Sequence, residues 1–208
     1  MKRIAWTTMF VLALGAAAAC GGDDDDTGGA DAGGNADAGA GGDAGAAPSC
    51  TEYCTRITAN CTGTNMQYTD MTQCMSYCTA EAWTVGMDSS SQTGNTLGCR
   101  QYHAGAAMAT GDPATHCPHA GPTGGNQCGT ACEVYCDNYA KNCTTSGVQY
   151  TDAAACQSAC GAWTEGTPAD QMGNTTYCRV YHSGVPAFTD ATTHCPHAQE
   201  NPTTMCVN

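Results

Sequence analysis

The chain has 208 residues, and six Lys/Arg against nineteen Asp/Glu leave a formal net charge of −13. So acidic a balance carries no electrostatic footprint for nucleic acid or for anionic lipid headgroups. Residues 50–208 hold one Leu, one Ile, one Phe and six Val, far below the ~20% at which a chain builds an ordinary aliphatic core. The same stretch holds sixteen of the seventeen cysteines, so cross-links must replace much of that core.

Residues 1–19 have the pattern of an export signal. Lys2 and Arg3 form a basic start, Ile4 to Leu14 an apolar centre, and Gly15 to Ala19 a run of small residues. The apolar part is too short for a committed membrane span. The run of small residues ending at Cys20 resembles a bacterial lipobox. That resemblance implies acylation of Cys20, a membrane partner reached through the N-terminal lipid, and an exported protein anchored in a bacterial cell envelope. Ordinary secretion is the other reading, with Ala17 and Ala19 as an A-x-A site cutting the same bond. Residues 20–49 are almost wholly Gly, Ala and Asp. They lack core formers and read as a disordered tether, roughly 30 Å in root-mean-square span.

The remaining cysteines fall into two runs of eight with nearly repeated spacing, defining module 1 (residues 50–128) and module 2 (residues 132–208). Other residues repeat with them. Gln67-Tyr68-Thr69-Asp70 returns as Gln149-Tyr150-Thr151-Asp152, Ala82-Trp83-Thr84 as Ala162-Trp163-Thr164, and Thr115-His116-Cys117-Pro118-His119 as Thr193-His194-Cys195-Pro196-His197. With three residues between the runs, the two copies are expected to pack together.

Within a module, Cys50, Tyr53, Cys54, Ile57 and Cys61 recur at helical spacing, as do Cys132, Tyr135, Cys136, Tyr139 and Cys143. Asp70 and Asp152 are placed to cap a second helix. A third begins after Gly94-Asn95-Thr96 and carries Cys99, Tyr102, His103 and Ala106 on one face; in module 2, Pro186 should end it early. The rest, including the His-Cys-Pro-His stretch, is expected to be loop. The predicted fold class is mainly α, small and disulfide-rich: two tandem stapled hairpins, each with a third helix and an irregular loop.

Cysteines at i and i+4 stack on one helix face, so two antiparallel helices can be joined by an outer and an inner bridge. This predicts Cys50–Cys78 with Cys54–Cys74, and Cys132–Cys160 with Cys136–Cys156. The spacing resembles the twin C-x3-C hairpins of small mitochondrial import chaperones, over about thirty residues per module, and implies nothing about function. Cys61, Cys99, Cys117 and Cys128 are expected to pair among themselves, as are Cys143, Cys178, Cys195 and Cys206. Each set allows three connectivities, and the sequence does not choose.

All six histidines are duplicated: His103, His116 and His119, then His182, His194 and His197. Three imidazoles suit Zn²⁺ or Cu²⁺, with Asp112 or Asp190 as an oxygen ligand; hydrogen bonding within a loop is the structural alternative. No C-x-x-C-H or G-x-S-x-G run occurs, and no nucleophile stands beside a base in both copies. No catalytic residue is therefore assigned. The first functional reading is a non-enzymatic binding or structural protein, without cofactor, whose partner is an extracellular or envelope protein or another ligand. Metal binding through the histidines is the second reading, and an exported enzyme the third.

Overall fold

A computed structural model describes residues 47–86, 91–146 and 149–208. The export segment, Cys20 and residues 20–46 of the expected tether lie outside the described residues.

Local sequence sets each helix start. Helix α1 (Cys50–Asn60) begins where Ser49 Oγ accepts the N–H of Glu52. Helix α2 (Met71–Glu81) is capped by Asp70, and α3 (Leu97–Ala109) by Thr96. Module 2 repeats this with α5 (Ala131–Asn142), α6 (Ala153–Cys160) and α7 (Thr176–Ser183), capped by Thr130, Asp152 and Thr175. At α5 the cap is reciprocal: Glu133 also accepts the Thr130 N–H at 2.8 Å. Each such cap satisfies backbone donors that a helix start leaves unpaired. No strand forms among the described residues; each module has only an isolated bridge, Thr84 to Thr96 and Thr164 to Thr175.

The His-Cys-Pro-His stretch is helical, which corrects the expectation of a loop. Helix α4 (Pro113–Ala120) and helix α9 (Ala191–Ala198) carry it, capped by Asp112 and Asp190. Pro118 and Pro196 lie inside these helices and argue for a break when the sequence is read locally. Tertiary fixation overrides that preference. Cys117 is bridged to Cys61, and Cys195 to Cys143, one residue before each proline. The start signal was present as Asp112 followed by Pro113 at the first helical position. Pro186 acts as expected: α7 stops at Ser183, and α8 (Val185–Thr189) starts with the proline in its first turn.

Eight disulfides hold the modules. Bridges Cys50–Cys78 and Cys54–Cys74 clamp α1 to α2, and Cys132–Cys160 with Cys136–Cys156 clamp α5 to α6. Of the open connectivities, the structure takes Cys61–Cys117 with Cys99–Cys128, and Cys143–Cys195 with Cys178–Cys206. Aromatic side chains fill the remaining core. Tyr53 donates to the Ala120 carbonyl at 2.8 Å and meets the Tyr68 hydroxyl at 3.0 Å. Tyr135 does the same with Ala198 and Tyr150. Over the ring of Trp83 lies the fully buried Arg100 guanidinium at 4.1 Å; Arg179 lies over Trp163 at 4.2 Å.

The modules share an interface within one compact unit. The Tyr77 hydroxyl donates to Asn138 Oδ1, and its ring meets Phe188 edge-on at 5.6 Å. Glu81, fully buried, receives Lys141 Nζ at 3.3 Å and Asn142 Nδ2 at 2.9 Å.

Two outcomes follow for stability. The Cys61–Cys117 bridge spans 56 residues of sequence and Cys54–Cys74 spans 20, so chain entropy assigns them about 4 and about 3 kcal/mol respectively. In urea unfolding, C61A/C117A should therefore be less stable than C54A/C74A. Lys141→Ala leaves the Glu81 carboxylate buried without its cation and should cost about 2 kcal/mol in the same assay. The double replacement K141M/E81L should recover most of that loss.

Candidate metal centres

Each histidine cluster is assembled by two packed helices. On α3, His103 follows Cys99 by one turn, and the Cys99–Cys128 bridge anchors that face. On α4, His116 and His119 are three residues apart and so share one face. Cys117 and Ala120 lie about a quarter turn further round the same helix and are fully buried. The Cys61–Cys117 bridge thus locks α4 in rotation and turns both imidazoles toward α3.

The geometry is close in both copies. His103 Nδ1 lies 2.9 Å from His116 Nδ1, and His182 Nδ1 lies 3.0 Å from His194 Nδ1. The third ring stands edge-on to the first, with centroids 4.9 Å apart for His103–His119 and 4.8 Å for His182–His197. In each module, one ring nitrogen from each histidine lies within 4.8 Å of the other two. The structure therefore brings together all six histidines singled out from the sequence, as two triads.

Protonation follows from the surroundings. His103 Nε2 is 3.1 Å from the Gln92 carbonyl, and His182 Nε2 is 3.1 Å from that of Gln171. A carbonyl only accepts, so these Nε2 atoms carry the proton. In the neutral ring, Nδ1 then keeps its lone pair facing the cluster. Burial holds His103, His119 and His197 below the usual imidazole range and brings His182 down to about 4, against the opposing pull of the Gln171 carbonyl. Near neutral pH these rings are uncharged, the form that binds metal. The Nδ1 atoms of His119 and His197 are shielded from water and have no hydrogen-bond partner among the described residues.

Other candidates fall away. Asp112 and Asp190 do not join the clusters; each accepts a backbone N–H at the start of its helix, from Thr115 and Thr193. The sulfurs of Cys99 and Cys128 reach His103, as those of Cys178 and Cys206 reach His182, but both pairs are disulfides and offer no thiolate. Ser183 is fully buried and donates to the Val180 carbonyl, which places it outside nucleophilic use. Residue-type reasoning missed Gln92 and Gln171, because they act through backbone carbonyls and leave no side-chain signal.

Three converging imidazole nitrogens are a donor set that suits borderline divalent ions. Two imidazoles on one tetrahedral Zn²⁺ stand about 3.3 Å apart at ordinary Zn–N distances, a few tenths of an ångström beyond the separations here.

Comparison with family models bears on module 1. Residues 42–131 match the family model of the BfoA family C-terminal domain. The chain is 44% identical over 78 residues to the Aurasperone B biosynthesis cluster protein A of Aspergillus niger, covering 38% of this chain and 24% of the relative. It is 44% identical over 78 residues to the Bifonsecin B biosynthesis cluster protein A of Aspergillus brasiliensis, covering 38% and 25%. The chain spans about a quarter of the length of these curated relatives. No solved structure matches. These relatives are fungal and point to a fungal protein, which corrects the reading as a bacterial lipoprotein acylated at Cys20. The lipobox resemblance rested on a few small residues before one cysteine, a composition that an ordinary A-x-A secretion site shares. The eight disulfides place the folded region in an oxidising, exported environment. Among the described residues, no helix is long and apolar enough to cross a membrane.

Proposed function

We propose that this chain is an exported, non-enzymatic metal-binding protein that holds one Zn²⁺ or Cu²⁺ ion in each module. His103, His116 and His119 form one ligand set, and His182, His194 and His197 the other. The observation that carries this reading is the duplicated convergence of three imidazoles. It is reinforced by a buried, unpartnered Nδ1 on the third ring of each triad. Disulfides hold the helices that present the rings, so the ligands are arranged before metal arrives and binding need not order the chain. Backbone carbonyls behind His103 and His182 orient those rings as outer partners do in metal sites. The relatives' names attach them to biosynthesis clusters for aurasperone B and bifonsecin B. By that likeness, the chain serves a biosynthetic setting as an accessory that binds metal.

Metal-free protein with its disulfides intact should take up two ions per chain, read by metal analysis after gel filtration. His116→Ala should leave one and H116A/H194A none, with the disulfides unchanged by intact mass. Failure to retain stoichiometric Zn or Cu, with a melting temperature that added metal does not move, would return the triads to a purely structural role.

A further inference from the structure

A second site, independent of the histidines, follows from an asymmetry between the copies. In module 2 the face formed by α5 and α6 holds a cavity of about 530 Å³. At the equivalent place in module 1, bordered by Ile57, Cys61 and Tyr68, the cavity is about 160 Å³. The residues on this face also differ between the copies. Module 1 has Met71 and Met75 where module 2 has Ala153 and Gln157, and Ala153 and Gln157 line the larger cavity. Its volume falls in the roughly 300–1,000 Å³ range of small-molecule sites.

The lining has a definite chemistry. The Tyr139 and Tyr150 rings, Ala140 and the Cys136–Cys156 bridge make it largely apolar. Three of the lining residues carry a buried polar atom with no hydrogen-bond partner among the described residues: Tyr139 Oη, Asn95 Oδ1 and Gln149 Oε1. The Asn95 amide is oriented by Nδ2, which donates to Asp137 at 2.8 Å, so its oxygen is the orphan. Burial pushes the Tyr139 hydroxyl up to about 12, so it remains a donor. Orphaned groups of this kind carry an uncompensated desolvation cost when nothing pairs with them. An occupant of the cavity whose polar group met these atoms would supply the missing partner. Glu133, Asp137 and Asp152 border the cavity, and no cationic side chain lines it, so an anion is disfavoured there.

We propose that this cavity binds a small, largely apolar organic molecule, uncharged or cationic, that carries an N–H or O–H donor for Gln149 and Asn95. The class fits the volume, the two orphaned acceptors and the acidic border together. Module 1, with Met71 and Met75 on its corresponding face, does not share the site.

The test uses the full disulfide-bonded chain and a pair of fluorescent probes that share one scaffold. Phenylnaphthylamine is neutral with a single N–H, and anilinonaphthalenesulfonate adds a negative charge. Fluorescence titration should give saturable binding of phenylnaphthylamine at one site, with Kd below about 100 μM, and at least about tenfold weaker binding of the sulfonate. A153M/Q157M installs the module 1 residues and should abolish phenylnaphthylamine binding while the melting temperature stays within a few degrees of the parent. No saturable binding of the neutral probe, equal affinity for the sulfonate, or unchanged affinity in a folded A153M/Q157M chain overturns the proposal.

Discussion

The bridges Cys61–Cys117 and Cys143–Cys195 tie the end of the first helix of each module to the helix that carries two of its three histidines. They close the longest loops in the protein. They also set the rotation of α4 and α9, and with it the direction in which the imidazoles point. A helix of eight residues with a proline inside it has little intrinsic stability. Here it is held by a cross-link, a carboxylate cap and a tyrosine hydroxyl bonded to its final carbonyl. Geometry at the triads therefore depends on covalent closure more than on packing of apolar bulk.

Around that frame the core is aromatic and polar. The Tyr53–Tyr68 and Tyr135–Tyr150 pairs bury rings while satisfying their hydroxyls against each other and a helix end. The arginines show how two copies of one scaffold drift apart. Arg179 is bonded to Gln199, Glu200, Thr175 and Asn174. Arg100 reaches only the Thr96 carbonyl; its Nε and Nη2 have no partner among the described residues, so its stack on Trp83 carries a larger share of its stabilisation. The interface shows the same divergence. Tyr77 in module 1 reaches Asn138 and Phe188 of module 2, and the equivalent position in module 2 is Ala159. One copy extends a side chain into the other, and module 2 keeps a cavity where module 1 carries methionines.

Legibility in the sequence followed the range of the interaction. The stapled helical hairpin was readable because cysteines four apart share a helix face, and two such pairs constrain two helices together. Capping residues marked the starts of α2 and α6, since a cap is a contact over three residues. Helices α4 and α9 were missed because Pro118 and Pro196 are local signals, whereas what overrides them is a cysteine more than fifty residues away. The histidines stood out by their duplication, but their convergence did not. His103 and His116 lie thirteen residues apart on different helices, and only the packing of α3 on α4 brings their nitrogens to 2.9 Å.

By itself, then, the sequence determined the export-type leader pattern, the cross-linked class, the duplication, the paired staples and the six histidines as the residues to watch. Tertiary structure decided the connectivity of the other cysteines, the helical state of the His-Cys-Pro-His stretch, the tautomers set by Gln92 and Gln171, and the larger cavity on the face of α5 and α6. The division has one physical cause. Composition, spacing and caps act over a few residues of chain and are written in order along it. Loop-closing bridges, backbone carbonyls aimed at a distant ring and the volume of a cavity between helices exist only once remote segments are packed together.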